Sequence, residues 1–151
     1  MKPLSVWFAA ATAAALVFGT GCSSEEQATI PILADTDPFG WSLPVEVEIE
    51  NRDTTALCDL SLVVRYDSNA DERISLSLTF TAPDSTIFAE RAAFPLAHSD
   101  KPASQASLDI IPYRRNVRLS QAGVYRVSIM PAGKVQGIEA VGLSLQNSKN
   151  R

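Results

Sequence analysis

From Val45 onward, apolar and polar residues alternate with a period of two. Val45, Val47 and Ile49 alternate with Glu46, Glu48 and Glu50, and Leu60, Leu62 and Val64 with Ser61, Val63 and Arg65. Ile74, Leu76, Leu78 and Phe80 alternate with Ser75, Ser77, Thr79 and Thr81. A strand sends successive side chains to opposite faces, so this period predicts strands with one face buried and one face wet. Turn-forming runs separate them at Asn51-Arg52-Asp53-Thr54-Thr55, Asp67-Ser68-Asn69-Ala70-Asp71 and Ala82-Pro83-Asp84-Ser85. A further segment is expected around Thr86 to Ala93, and shorter strands near 106–111, 115–119, 123–130 and 138–145. Tyr125, Val127 and Ile129 fall on one face of their strand.

No segment beyond the N-terminal region carries an apolar stripe of helical period. Seven to eight strands joined by short polar turns predict an all-β domain over 41–146. Its expected form is an antiparallel two-sheet β-sandwich, jelly-roll or Greek-key-like. Residues 147–151 read as a flexible C-terminal tail.

The first residues follow a different pattern. Lys2 precedes an apolar run from Leu4 to Phe18, and Gly19-Thr20-Gly21 leads to Cys22. This is the layout of a signal peptide over 1–21, in the variant cut before a lipidated cysteine. The run is shorter than the roughly 20 residues of a spanning helix. The polar stretch Ser23-Ser24-Glu25-Glu26-Gln27 follows directly. Residues 22–40, with Pro31, Pro38 and the Asp35-Thr36-Asp37-Pro38-Phe39-Gly40 turn signal, read as a lipidated N-terminus and tether.

Charge agrees with that arrangement. Lys2 is the leader's one charge, so its removal takes 13 basic side chains to 12 against 17 acidic ones, a net charge of −5. Such a domain has no electrostatic reason to seek nucleic acid. Anionic headgroups would repel it, so the lipid on Cys22 is expected to hold it at the membrane. With Cys22 lipidated, Cys58 has no partner for an intrachain disulfide. In Leu57-Cys58-Asp59-Leu60-Ser61-Leu62 it is read as a buried structural thiol on the face opposite the leucines.

Candidate chemistry is sparse. His98, the single histidine, adjoins Ser99 and Asp100 in a polar loop. Three neighbours on one loop cannot form a Ser-His-Asp triad, and His98 is assigned to solvent. No metal-ligand spacing or glycine-rich phosphate cradle occurs, so no cofactor and no enzymatic activity are expected. The outer faces say more. Glu46, Glu48 and Glu50 form an acidic stripe, while Arg114 and Arg118 would share a side with Asn116 if that stretch is extended, and Arg126 points outward from the next strand. Either these stripes face each other across strands or they are patches for a partner protein. Arg115 falls on the apolar face by alternation, so either a bulge re-aims it or it ends a strand and reaches a carboxylate. Trp41 either plugs one end of the sandwich or offers an exposed aromatic contact.

The C-terminal third carries a series of strand motifs: Pro112-Tyr113-Arg114-Arg115-Asn116-Val117-Arg118-Leu119, then Ala122-Gly123-Val124-Tyr125-Arg126-Val127-Ser128-Ile129, then Gly137-Ile138-Glu139-Ala140-Val141-Gly142-Leu143-Ser144-Leu145. This series resembles the end of the gliding-motility-associated lipoprotein H family (GldH) of the Bacteroidota. There a Gly-x-Tyr strand start precedes a closing Gly-Ile-x-x-Val-Gly-Leu segment. The front half is similar in order, with Trp41, an alternating strand, Asp53-Thr54, then Leu57 to Arg65. The resemblance covers most of residues 41 to 146. It implies a non-enzymatic envelope lipoprotein, lipid-anchored at the outer membrane on its periplasmic face or exposed at the surface, whose partners are gliding or secretion components. In the same bacterial group, Ser23-Ser24-Glu25-Glu26 resembles an export signal for surface display; otherwise it is a soluble tether. Two functions are therefore expected: a membrane-tethered scaffold contacting envelope proteins at the outer membrane, or a surface module binding a glycan or other ligand.

Overall fold

The computed structural model describes residues 31–97 and 105–148. Among these residues eight strands form: β1 (Ile32–Asp35), β2 (Val45–Asn51), β3 (Leu57–Tyr66), β4 (Arg73–Thr81), β5 (Ile87–Pro95), β6 (Ser107–Arg118), β7 (Gly123–Pro131) and β8 (Ile138–Asn147). All pairings are antiparallel. β1 pairs with β8, β2 with β7, β3 with β6 and β4 with β5, so the chain is one long nested hairpin. Rolling that hairpin up adds the β3–β8 and β4–β7 pairings. Two four-stranded sheets result, ordered β1-β8-β3-β6 and β2-β7-β4-β5. This is the jelly-roll form of the sandwich.

The period-two runs explain which side chains meet. Leu62, Val64, Val141 and Leu143 of one sheet and Leu76, Leu78, Val127 and Ile129 of the other are buried together between the sheets. Tyr125 joins them on the inward face, as alternation predicts. Removing this much apolar surface from water is the main force holding the two sheets together.

Four features differ from the sequence reading. The tether expected over 22–40 contains a strand, because Ile32–Asp35 hydrogen-bonds along the edge of β8. Gly142 permits this: a Cβ there would stand 1.8 Å from the Ile32 carbonyl oxygen. The strands expected at 106–111 and 115–119 are one strand, β6, interrupted by bulges. Within the tail expected over 147–151, Asn147 ends β8 and the Ser148 N–H donates to the Leu57 carbonyl at 2.7 Å. Cys58 is buried and free, but it shares the parity of the buried Leu60 and Leu62, not the opposite face.

The nested order places the β1–β2, β3–β4, β5–β6 and β7–β8 connections at one end and the other three at the opposite end. The first end is closed. Trp41 is 2% exposed there, its indole N–H donating to the Leu43 carbonyl at 2.6 Å. The Val135 N–H donates to the Trp41 carbonyl at 3.0 Å. Gly137, at φ +73°, lets the β7–β8 turn close onto β3–β4, where a Cβ would lie 2.3 Å from the Ala70 nitrogen.

Candidate functional site

The opposite end is where β6 departs from a regular ladder. Ser61 pairs with Pro112, Leu60 with Arg114 and Cys58 with Val117, so β6 supplies extra residues at Tyr113 and at Arg115-Asn116. Asn116 takes a left-handed conformation at φ 55°, which asparagine tolerates better than most residues. Its N–H donates to Asp59 Oδ1 at 2.9 Å. Bulges bend a strand and re-aim its side chains. Arg115 is accordingly exposed, which is the bulge outcome of the two foreseen for it.

A cavity of about 310 Å³ lies between the bulged end of β6 and the end of the β4–β5 hairpin. Phe80, Thr86 and Phe88 line one side, Tyr113, Val117 and Leu119 the other, and the buried Leu60 and Tyr125 lie deeper. Aromatic contacts set its wall. Tyr113 stacks on Phe80 with centroids 6.3 Å apart and 6° between planes, and it meets Phe94 at 5.8 Å and 59°. Phe88 packs against Phe80 at 6.4 Å.

Two arginines border this cavity. Arg114 lies 5.5 Å from the Tyr113 ring centroid and forms an ion pair with Glu90. Glu90 stands opposite Leu78 in the β4–β5 register, on the inward side. Arg118 also lines the cavity and has no ion pair with any described residue. The Tyr113 hydroxyl and Glu90 Oε1 are buried without a hydrogen-bond partner among the described residues. Native interiors leave few such atoms.

Carboxylates fix the surrounding turns. Asp53 accepts from the Thr55 hydroxyl at 2.7 Å, the Thr55 N–H at 2.8 Å and the Ala56 N–H at 3.2 Å. These bonds hold its pKa below the usual carboxylate value, the Thr55 hydroxyl contributing most. Asp59 is lowered first by the Ser148 hydroxyl at 2.6 Å and then by the Asn116 N–H. Asp84 is lowered by Thr86 and Gln121. The Cys58 thiol moves the other way, raised by burial and then by Asp53 and Asp59. A thiol that stays protonated is a poor nucleophile.

The residues singled out for partner binding do not form one patch. Arg114 and Arg118 meet at the cavity. Arg126 lies in the other sheet, where it faces Glu48 in register and pairs with it at 3.1 Å. For that pair the stripes do face each other within a sheet, while Glu50 pairs with Arg52 at 2.9 Å. Trp41 is buried at the closed end, so it plugs the sandwich and offers no exposed contact. Cys22 and the His98-Ser99-Asp100 loop lie outside the described residues.

Sequence reasoning missed Glu90, Tyr113, Phe80 and Phe88 as a group. One signal was available: Glu90 interrupts the inward series Phe88, Ala92, Phe94. Among the described residues, no group of three or more His, Cys, Asp or Glu is placed to hold a metal ion.

No family model and no curated protein matches this chain. A chain in the structure of infectious bursal disease virus Gx strain is similar at a TM-score of 0.37 and 11% identity. That match covers 81% of this chain and 31% of the viral one. So slight a likeness carries no functional reading.

Proposed function

We propose that this protein is a non-enzymatic envelope lipoprotein, anchored through Cys22, whose jelly-roll domain serves as a membrane-tethered contact module for other envelope proteins. The observation carrying this reading is the leader that closes on Cys22, set against the start of β1 at Ile32. Ten residues of chain reach at most about 35 Å when fully extended. A domain so tethered works within about its own diameter of the membrane, where envelope partners stand. The resemblance to GldH supports partners from gliding or secretion assemblies and a place at the outer membrane.

Replacing Cys22 by Ala is expected to release the protein from membranes or leave it unprocessed, and to abolish palmitate labelling. Unchanged fractionation and labelling would remove the anchor from this account. Affinity purification from solubilised envelope then separates the functions: recovery of stoichiometric envelope proteins supports the scaffold.

A second reading is a ligand-binding lipoprotein, favoured by the cavity at the open end. Its carbon-rich wall suits an apolar ligand better than a glycan, which needs polar partners for its hydroxyl groups.

A further inference from the structure

The outside of the open end joins exposed apolar residues to uncompensated positive charge. Ile87 is 66% exposed and Phe88 53% exposed where β5 leaves the β4–β5 turn. Neighbouring large apolar side chains held in water mark a contact surface. Across from them on β6, Arg115 and Arg118 are exposed and form no ion pair with any described residue. Phe88 and Arg118 border the same cavity, so the apolar and basic groups adjoin. Leu57, opposite Arg118 in register, adds a further partly exposed apolar side chain. The closed end has the other sign. It exposes Phe39 and Leu43, but its β1–β2 and β3–β4 connections carry Asp37, Asp67, Asp71 and Glu72, with Lys134 in the β7–β8 connection.

We propose that the open end rests on the membrane surface, with Ile87 and Phe88 in the lipid interface and Arg115 and Arg118 on phosphate headgroups. The inference rests on the anchor at Cys22 and adds an orientation to it. The direction of β1 favours this end. β1 runs from Ile32, opposite Leu143, to Asp35, opposite Ala140, so the chain enters it from the open-end side. From Leu143 to the end of β8 at Asn147 is about 14 Å of strand. The tether, reaching about 35 Å when extended, spans that distance with length to spare. Tethering makes the contact intramolecular, so a few side chains suffice where they would not hold a free protein. A guanidinium gives a phosphate two parallel hydrogen bonds, while its aliphatic stem lies along apolar surface. The acidic closed end, with Phe39 and Leu43, then faces away from the bilayer, where an envelope protein can reach it.

The test uses the lipidated full chain in vesicles of phosphatidylcholine and phosphatidylglycerol, with an environment-sensitive fluorophore on an introduced cysteine. Cys58 is buried and stays unlabelled in the folded protein. The reporter sits at Ser120→Cys, in the β6–β7 connection of the open end, or at Leu43→Cys at the closed end. Quenching by nitroxide-labelled lipid is expected at the open-end reporter and not at the closed-end one. Ile87→Ser with Phe88→Ser should reduce open-end quenching to the closed-end level, with folding checked by circular dichroism. Arg115→Gln with Arg118→Gln, at exposed positions, should remove the part of the quenching that depends on phosphatidylglycerol. No open-end quenching, equal quenching at both ends, or quenching that survives both double substitutions would overturn the proposal. So would an open-end reporter shielded in native envelope but quenched by no lipid, which would assign the surface to a protein. Co-sedimentation with vesicles and palmitate labelling read the anchor separately. A chain that sediments without quenching loses this contact and keeps its anchor; a chain without lipid loses both.

Discussion

The two ends of the sandwich solve the same problem differently. Each must cap a core exposed between two sheets. At the closed end, Trp41 covers the core and its indole N–H is satisfied. The Tyr66 hydroxyl lies 2.7 Å from the Ala97 carbonyl and 3.0 Å from Asp109 Oδ2, which also accepts the Ala97 N–H at 2.6 Å. At the open end, bulges interrupt the β3–β6 register, and a tyrosine of equal chemistry, Tyr113, keeps a buried hydroxyl with no described partner. One end is finished by hydrogen bonds; the other is left incomplete. A buried polar atom without a partner is costly, so the two tyrosine hydroxyls should contribute to stability with opposite sign.

The sharpest way to break this contrast is at Trp41. Trp41→Ala should cost about 3–5 kcal/mol, the range for deleting a large buried aromatic. Chemical denaturation reads that loss directly, and a change under 1 kcal/mol would show that the closed end is not sealed by this ring. The two tyrosines test the comparison by one chemical change at both ends. Tyr66→Phe should destabilise by about 1–3 kcal/mol, because it leaves an acceptor set without its donor. Tyr113→Phe should be neutral or stabilise by up to about 1 kcal/mol, because it removes a hydroxyl that has no partner among the described residues. Equal costs at both sites would erase the distinction between the ends.

Alkali sharpens the same point. Burial, with the hydrogen bond and charge of Asp109, pushes the Tyr66 hydroxyl up to about 12. A tyrosine titrates near 10 in an unfolded chain. The stability held in the neutral phenol is therefore fully present below about pH 10 and is lost as the pH rises toward 12. Melting temperature followed between pH 9 and 12 should fall more steeply in the parent protein than in Tyr66→Phe.

The sequence displayed most of the fold because its strands are half-buried. The runs at 45–50 and 74–81 keep strict alternation, those at 60–65 and 124–129 keep it but for Val63 and Val124, and each became a strand. β1 was hidden because Ile32, Leu33 and Ala34 form a short apolar run without alternation, close to Pro31. β6 was divided because Tyr113 to Asn116 break the period where the strand itself continues through bulges. The apolar leader ending on Cys22 and the Arg114–Arg118 spacing were readable as local patterns. The cavity was not, because its wall comes from residues of β3, β4, β5, β6 and β7 that only the rolled hairpin assembles. Trp41 left two outcomes open in sequence, and only its burial decided between them.

The nested pairing has a consequence for how the chain reaches this state. Ile32 pairs with Leu143, 111 residues later, whereas β4 and β5 are joined by a turn of five residues and alone form a local hairpin within one sheet. Folding is slow when contacts lie far apart in sequence, so that hairpin is the natural starting point, with pairings closing outward from it. The sheet containing β1 and β3 cannot be completed before β8 is available, because β8 lies between them. A nascent chain emerging N-terminus first thus leaves this sheet unfinished until β8 is released, and a chain that loses β8 leaves β1 without a partner while β3 keeps only β6.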